Sequence, residues 1–528
     1  MLPEDTTLIF ITLRRMDAGR KVKTAKKSRL SERGSGVLLH LTSLPGGYGV
    51  GDLGPATAFV DFLAAAGQRY WQFLPVGPVD MAAGGSPYMS PAALAGNPLL
   101  ISLDLMLADG LLNRAELAGK PDFSEYQVHF PAVRAAKSAL LRRAWERLPG
   151  QSRLWDEFVS FAAAEADWLR DYALFAALRE QFRSAPWWEW PPALARRQEA
   201  ALAEAEASLG ERIAYYQFEQ FLFSRQWRRL RDHARRQGVG LIGDLPIYVS
   251  LDSVDVWAHQ TIFQLDPRSL RPTHVAGVPP DYFSKTGQRW GNPLYRWSEG
   301  EGGGLYAWWR RRFKQLGRLV DVARIDHFRG FAAYWRVPAR EATAVNGRWV
   351  RGPGRRFFAA MREAIGDLEI IAEDLGVITP EVVRLREELG FPGMKILQFA
   401  FDSDAGNLYL PHNFVHDNWV VFTGTHDNNT TLGWYLEEAG EESRRRLRRY
   451  AHSEVREAHW DMIRLALSST ARTAIIPMQD LLGFGADCRM NRPGTVTGNW
   501  GWRCAERFIT GELAQRLREE TEFYGRGR

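Results

Sequence analysis

"DVARIDHFRGF" (321–331) sets Arg324 and Asp326 two residues apart in a short apolar run, with His327 beside them. Alternate side chains of a strand share a face, so this arginine and this aspartate point the same way. If that face is a core, two charges are buried together, which is costly unless they pair. Such a pair belongs equally to a structural core and to an active site, since both perturb ionisation. The rest of the chain has to separate the two.

Seven similar runs surround this one. They are "VLLHLTSLP" (37–45), "WQFLPVGP" (71–78), "GLIGDLPIYV" (240–249), "LEIIAEDLG" (368–376), "GMKILQFAF" (393–401), "NWVVFTGTHD" (418–427) and "TAIIPMQDLLG" (473–483). Amphipathic helical patterns such as "ATAFVDFLAAAGQ", "GRRFFAAMREAIG" and "TPEVVRLREELG" sit between several of them. Apolar strands alternating with helices predict buried parallel strands, and eight is the number that closes a TIM (β/α)8 barrel. The alternative is an open doubly wound sheet, which would carry a glycine-rich phosphate fingerprint after its first strand. Glycines do follow residue 45, in "GGYGVGDLG" (46–54), so that alternative stays open at this point.

Two connections are too long for simple loops and predict inserted subdomains. Within a helical insertion at about 80–236, Leu154, Phe158, Phe161, Trp168, Tyr172 and Phe175 fall on one helical face, a packing stripe. The second insertion, about 250–320, contains "PPDYFSKTGQRWGNPLY", which has neither helical nor strand period and reads as a large loop. After Gly483 the segment "GELAQRLREE" reads as helix, so no C-terminal β-sandwich domain is expected.

The 528 residues are 45% hydrophobic and 25% charged, an ordinary globular composition, with a net charge of +6. No apolar run approaches the roughly 20 residues of a membrane span. Four of the nine lysines lie in "KVKTAKK" (21–27), within a stretch 1–35 unlike the remainder. That stretch predicts a disordered basic extension outside a catalytic body of 36–528, and translation starting at Met16 is an option. Cys488 and Cys504 are the only cysteines. They predict free thiols in a reducing cytoplasm rather than a disulfide framework or a zinc site.

Barrel enzymes draw their catalytic groups from the C-terminal ends of several strands. Asp244 lies late in its run, Arg324 and Asp326 end theirs, and Glu373, Asp427 and Asp480 stand late in three others. Converging carboxylates without a thiol nucleophile or a phosphate loop suit glycoside chemistry, which needs one acid to protonate the leaving oxygen and one carboxylate to attack. Arg324 would keep Asp326 ionised, Glu373 would protonate the leaving oxygen provided its pKa is raised enough to hold the proton, and Asp427 with His426 would grip sugar hydroxyls. Twenty tryptophans and sixteen tyrosines fit ring stacking, although any one aromatic is more often core. A divalent-metal site is the competing use of clustered acids.

Taken together, "SPYMSP" (86–91), "IGDLPIYV", "PPDYFSKTGQRWGNPLY", "VARIDHFRGF", "IIAEDLG", "TGTHDNNT" and "NRPGTVTGNW" resemble the amylomaltases, the 4-α-glucanotransferases of glycoside hydrolase family 77. The resemblance runs in order from about Gly36 to near the end. It implies retaining transfer of α-1,4-glucan segments between maltooligosaccharides, with release of glucose, and no cofactor or essential metal. It implies Asp326 as nucleophile, Glu373 as acid/base and Asp427 as transition-state stabiliser. Arg324, His426, Ser86, Tyr88, Asp244, Asp281, Trp290, Asn499 and Trp500 would contact substrate. A cytoplasmic monomer or weak homo-oligomer, with no nucleic-acid or membrane partner, is the accompanying expectation. The nearest rival is a glucan hydrolase of the α-amylase kind. A catalytically dead glucan binder and a metal-dependent sugar-phosphate enzyme stand further off.

Overall fold

Eight parallel strands form one sheet in the computed structural model, which describes residues 28–280, 284–454 and 456–527. In chain order the strands of the molecule are β1 (Gly34–Leu38), β2 (Tyr70–Phe73), β3 (Gly240–Pro246), β4 (His274–Val278), β5 (Gln288–Pro293), β6 (Val322–Asp326), β7 (Ala333–Pro338), β8 (Arg348–Arg351), β9 (Glu369–Ala372), β10 (Gly393–Ile396), β11 (Trp419–Phe422) and β12 (Thr473–Pro477). The parallel sheet runs β10-β11-β12-β1-β2-β3-β6-β9. Its two ends meet where Ala372 N donates to Pro392 O at 2.9 Å and Met394 N donates to Asp374 Oδ1 at 2.7 Å. The result is the expected α/β barrel. Six of the expected runs contain a whole strand, and those at 37–45 and 71–78 begin inside β1 and β2, three residues and one residue after these strands start.

Burial on both faces explains why the strands read as apolar runs: every residue of β1, β2, β10, β11 and β12 is buried. Leu38, Tyr70, Ile242, Val322, Ile371, Met394, Val420 and Ile475 pack together inside the barrel. Their strand neighbours Val37, Trp71, Leu241, Ala323, Ile370, Val421 and Ala474 join the larger cluster with the helices. Period-two alternation from Val322 therefore points Arg324 and Asp326 inward. Gly36 lets β1 and β2 approach, since a Cβ there would lie 2.5 Å from the Tyr70 carbonyl oxygen.

Helices Ala56–Ala65, Gly210–Arg236, Leu305–Leu319, Gly354–Ile365, Pro380–Glu388 and Ala458–Ser468 precede barrel strands. The first insertion is helical from Leu103 onward, and its stripe is split at Glu165 between helices Ser152–Ala164 and Ala166–Gln181. Among the described residues after β12 there is no strand, and the chain there ends in helix Gly511–Phe523.

Two sequence expectations need correction. Residues 250–320 are not simply a large loop. They contain helices Val254–Ala258 and Leu305–Leu319 as well as β4 and β5, and these strands join β7 and β8 in an antiparallel sheet ordered β5-β4-β7-β8. Glycines, prolines and a register shift between Val275 and Gly277 hide the alternation of these edge strands. The boundary at residue 35 is also misplaced. Residues 1–27, and with them Met16, lie outside the described residues, but 28–35 are built into the barrel floor. The Glu369 carboxylate accepts from Ser28 Oγ, Arg29 N and Leu30 N at 2.6–2.9 Å. Arg33 donates to the carbonyls of Leu467 and Ser469, both at 2.8 Å. These contacts are non-local, so composition alone did not register them.

Candidate active site

Strand register assembles the site. Asp244 and Arg324 are cross-strand partners in the β3–β6 ladder, and Glu373 follows the last β6–β9 pair, Ile325–Ala372. Arg324 and Asp244 are almost fully buried. Arg324 Nη1 donates to Asp244 Oδ2 at 2.7 Å and to Asp326 Oδ1 at 3.0 Å, while its Nε meets Met394 Sδ at 3.4 Å. Asp244 Oδ2 also accepts from Tyr88 Oη at 2.6 Å. Asp326 differs from its partners in keeping 31% of its side chain exposed, and so it faces the cleft. The paired charges are thus a buried ion pair with one end open to the cleft.

Glu373 is held from the main chain. His327 N donates to its Oε2 at 2.7 Å and Leu375 N to its Oε1 at 2.8 Å. Burial, followed by the charge of Asp326, nevertheless lifts its pKa to about 7, against the pull of Arg324 and of these two bonds. Asp326 also lies above its ordinary value. Burial is the main cause, Arg324 opposes it, and Asp244 and Asp427 reinforce it. Arg324 therefore limits the rise at Asp326 and does not reverse it. The proton of the pair resides on Glu373, because Asp326 has the guanidinium within hydrogen-bonding distance.

The third carboxylate follows β11. Asp427 Oδ1 accepts from Asn491 Nδ2 at 2.6 Å and lies 3.4 Å from His426 Nε2. Arg489 Nη2 holds the Asp427 carbonyl at 2.6 Å. The His426 ring stacks on Tyr88 with centroids 5.2 Å apart, and Trp500 leans on both rings at 5.7 and 6.1 Å. Trp500 itself has a left-handed backbone, φ 66°. Ser86 Oγ accepts from Tyr88 N at 3.3 Å and so shapes the turn that presents the tyrosine. Trp290 lies on β5, its ring 4.8 Å from His327 and 6.3 Å from Tyr248.

Other candidates are placed differently. Asp281 lies outside the described residues. Asn499 uses both ends of its amide within its own loop, accepting from Arg492 N at 2.9 Å and donating to Thr495 O at 3.0 Å. Asp480 does not join the convergence of acids. It is 1% exposed and accepts from Thr423 Oγ1, Thr431 N and Thr431 Oγ1 at 2.5–2.7 Å, pinning the loop that carries Asp427.

The sequence reading also passed over groups that the site contains. Asn491, on Asp427, lies inside the quoted "NRPGTVTGNW", so the motif held the signal. His40, in the run after β1, is buried beside His426, and burial reinforced by that neighbour lowers its pKa to about 3. Nothing in the apolar run around it distinguished it from a core histidine.

Acids converge at the strand ends of a barrel, one on an arginine and one with its pKa lifted to about 7, an arrangement suited to general-acid and carboxylate chemistry. The comparisons carry this further. The chain belongs to glycoside hydrolase family 77, whose family model, described as 4-alpha-glucanotransferase, matches residues 39–509. It is 49% identical over 502 residues to the 4-alpha-glucanotransferase of Synechocystis sp., covering 94% of this chain and 99% of the relative. It is 45% identical over 504 residues to a chloroplastic/amyloplastic 4-alpha-glucanotransferase of Arabidopsis thaliana, covering 94% of this chain and 86% of the plant protein. Its structure matches an amylomaltase from Streptococcus agalactiae in complex with acarbose, with a TM-score of 0.90 at 38% identity, covering 94% of this chain and all of the other. The chain is an enzyme of the 4-alpha-glucanotransferase class.

Proposed function

We propose that the enzyme moves α-1,4-glucan segments between maltooligosaccharides, drawing on starch- or glycogen-derived glucans, by a retaining double displacement. The observation that carries this reading is Asp326 on Arg324 at 3.0 Å beside Glu373, which keeps its proton to about 7. Asp326 attacks the anomeric carbon while Glu373 protonates the departing glycosidic oxygen, and glucose leaves as the first product. Glu373, now a carboxylate, then takes the proton from a 4-hydroxyl of the acceptor sugar as that oxygen displaces Asp326. Asp427, fixed by Asn491, binds hydroxyls of the distorted ring with His426. Tyr88 and Asp244 hold Arg324 in place, and Trp290 and Trp500 offer ring faces to sugars.

Ser86 and Asn499 shape their loops and, in this reading, also contact sugar. The acids are each engaged by N–H or O–H donors, which a divalent cation would have to displace, and this favours glycoside chemistry over a metal site. We further assign the protein to the cytoplasm as a monomer or weak homo-oligomer. Among the described residues no helix is long and apolar enough to cross a membrane, and both cysteines are free thiols.

Purified protein incubated with maltotriose tests the proposal. Transfer yields glucose together with a ladder of longer oligomers. Maltose and glucose alone, without longer products, would replace transfer by hydrolysis.

A further inference from the structure

The turn after β6 connects two parts of the proposed machinery through one residue, His327. Its backbone is left-handed, φ 55° and ψ 49°, a region that glycine enters freely, asparagine, aspartate and histidine less often, and β-branched residues hardly at all. This geometry turns the His327 N–H onto Glu373 Oε2 at 2.7 Å. Phe328 N donates to Glu373 O at 3.1 Å and Glu373 N to Ile325 O at 3.0 Å, so the β6–β9 ladder continues past both strands. Main chain and carboxylate of Glu373 are thereby clamped to the residues flanking Asp326.

The side chain of His327 makes the second connection. Its ring stands edge-to-face on Trp290, centroids 4.8 Å apart and planes at 86°. Its Nε2 is buried and has no hydrogen-bond partner among the described residues. Burial and the nearby Arg329 lower its pKa to about 3, so the ring is neutral at working pH. A neutral ring set edge-on against an indole fixes an angle without adding charge to the cleft. Gly330 leaves room for it, since a Cβ there would lie 3.2 Å from His327 Cδ2.

We propose that His327 is a positioning residue whose left-handed main chain aims Glu373 at the leaving oxygen and whose ring sets Trp290 over the cleft. This rests on the reading of Glu373 as the acid. Glu373 is faced by Asp326 and Arg324 of β6, by Arg329 of the turn and by Tyr409 of the loop after β10, none of which the test alters.

The test compares His327→Gly and His327→Asn, which accept the left-handed backbone and lack the ring, with His327→Val, which lacks both. Each is assayed on maltotriose and on α-maltosyl fluoride, whose leaving group departs without a proton. His327→Val is expected to lose at least tenfold in kcat/KM on maltotriose and under threefold on the fluoride. Its alkaline limb should move upward, because the lost N–H had favoured the carboxylate. His327→Gly and His327→Asn should keep the wild-type ratio between donors and the wild-type limb. Trp290→Ala, which removes the ring set over the cleft, is expected to let water compete with the acceptor sugar, and both variants should raise the hydrolysed fraction to that same level, with no further rise in the double variant. A valine variant with the donor ratio and limb of the glycine variant overturns the main-chain role. A hydrolysed fraction that stays at the wild-type level, or adds to that of Trp290→Ala, overturns the ring's role. If the valine variant does not fold, His327→Ala, strained in the same sense, takes its place. Glu373→Gln separates the two levels: equal losses on both donors refute Glu373 as the acid, whereas selective loss there with unselective loss in His327→Val refutes this proposal alone.

Discussion

In the proposed mechanism Glu373 supplies the proton that the leaving oxygen takes up. Burial and Asp326 raise its pKa to about 7, so the acid form persists below that value and disappears as pH rises through it. The kcat/KM for maltotriose should accordingly fall on an alkaline limb near pH 7. That limb should be absent for a donor that needs no protonation, and a limb shared by both donors would assign it to another group. Much at this scale is legible in the sequence. Spacing places Arg324 and Asp326 on one face, and a position late in apolar runs marks Glu373 and Asp427. The net direction at Asp326 is not legible, because it depends on how much water three neighbouring carboxylates share, and spacing carries no such quantity. Asp480 is misplaced for a related reason. A late position in a run does not reveal whether two threonines already occupy the carboxylate.

Helix Gly210–Arg236 contains a charge problem of its own. Glu219 is 5% exposed, its one short bond is the 2.6 Å donation from Tyr215 Oη, and burial raises its pKa to about 7. A carboxyl whose folded pKa is raised binds its proton more tightly in the folded state. The resulting stability is fully present below the unfolded value and is lost as pH rises to and past 7. The loss amounts to at most about 3–4 kcal/mol at roughly 1.4 kcal/mol per unit. Glu219→Gln should match the wild type in denaturant unfolding at pH 5 and exceed it at pH 8. Parallel stability profiles for the two proteins would show that Glu219 keeps the same pKa folded and unfolded. The helices of this insertion are legible from their 3.6-residue stripe, while β4 and β5 are not. Strands at the edge of a small sheet, rich in glycine and proline, lack the continuous apolar pattern that gives away the barrel.

Across the whole molecule, the parallel barrel is readable because burial on both faces leaves eight apolar runs in the sequence. The floor of the barrel is not readable, because residues 28–35 are joined to it by contacts with Glu369, Leu467 and Ser469, hundreds of residues away. Two truncations measure what this segment contributes. A chain beginning at Ser28 keeps every one of these bonds, whereas a chain beginning at Gly36 loses them along with the first two residues of β1. The second should melt several degrees below the first, since it leaves the Glu369 carboxylate without its three donors and two carbonyls without Arg33. Equal melting temperatures would mean that the segment only lies on the floor.

The central claim is that Asp326 is the nucleophile and Glu373 its acid. Intact and peptide-level mass spectrometry of Glu373→Gln mixed with α-maltosyl fluoride tests it directly, because the first displacement can proceed there while the second lacks its base. A maltosyl adduct is expected on the peptide that contains Asp326, absent when Asp326→Asn is added to the same chain. An adduct on any other carboxylate, or one that survives Asp326→Asn, contradicts it.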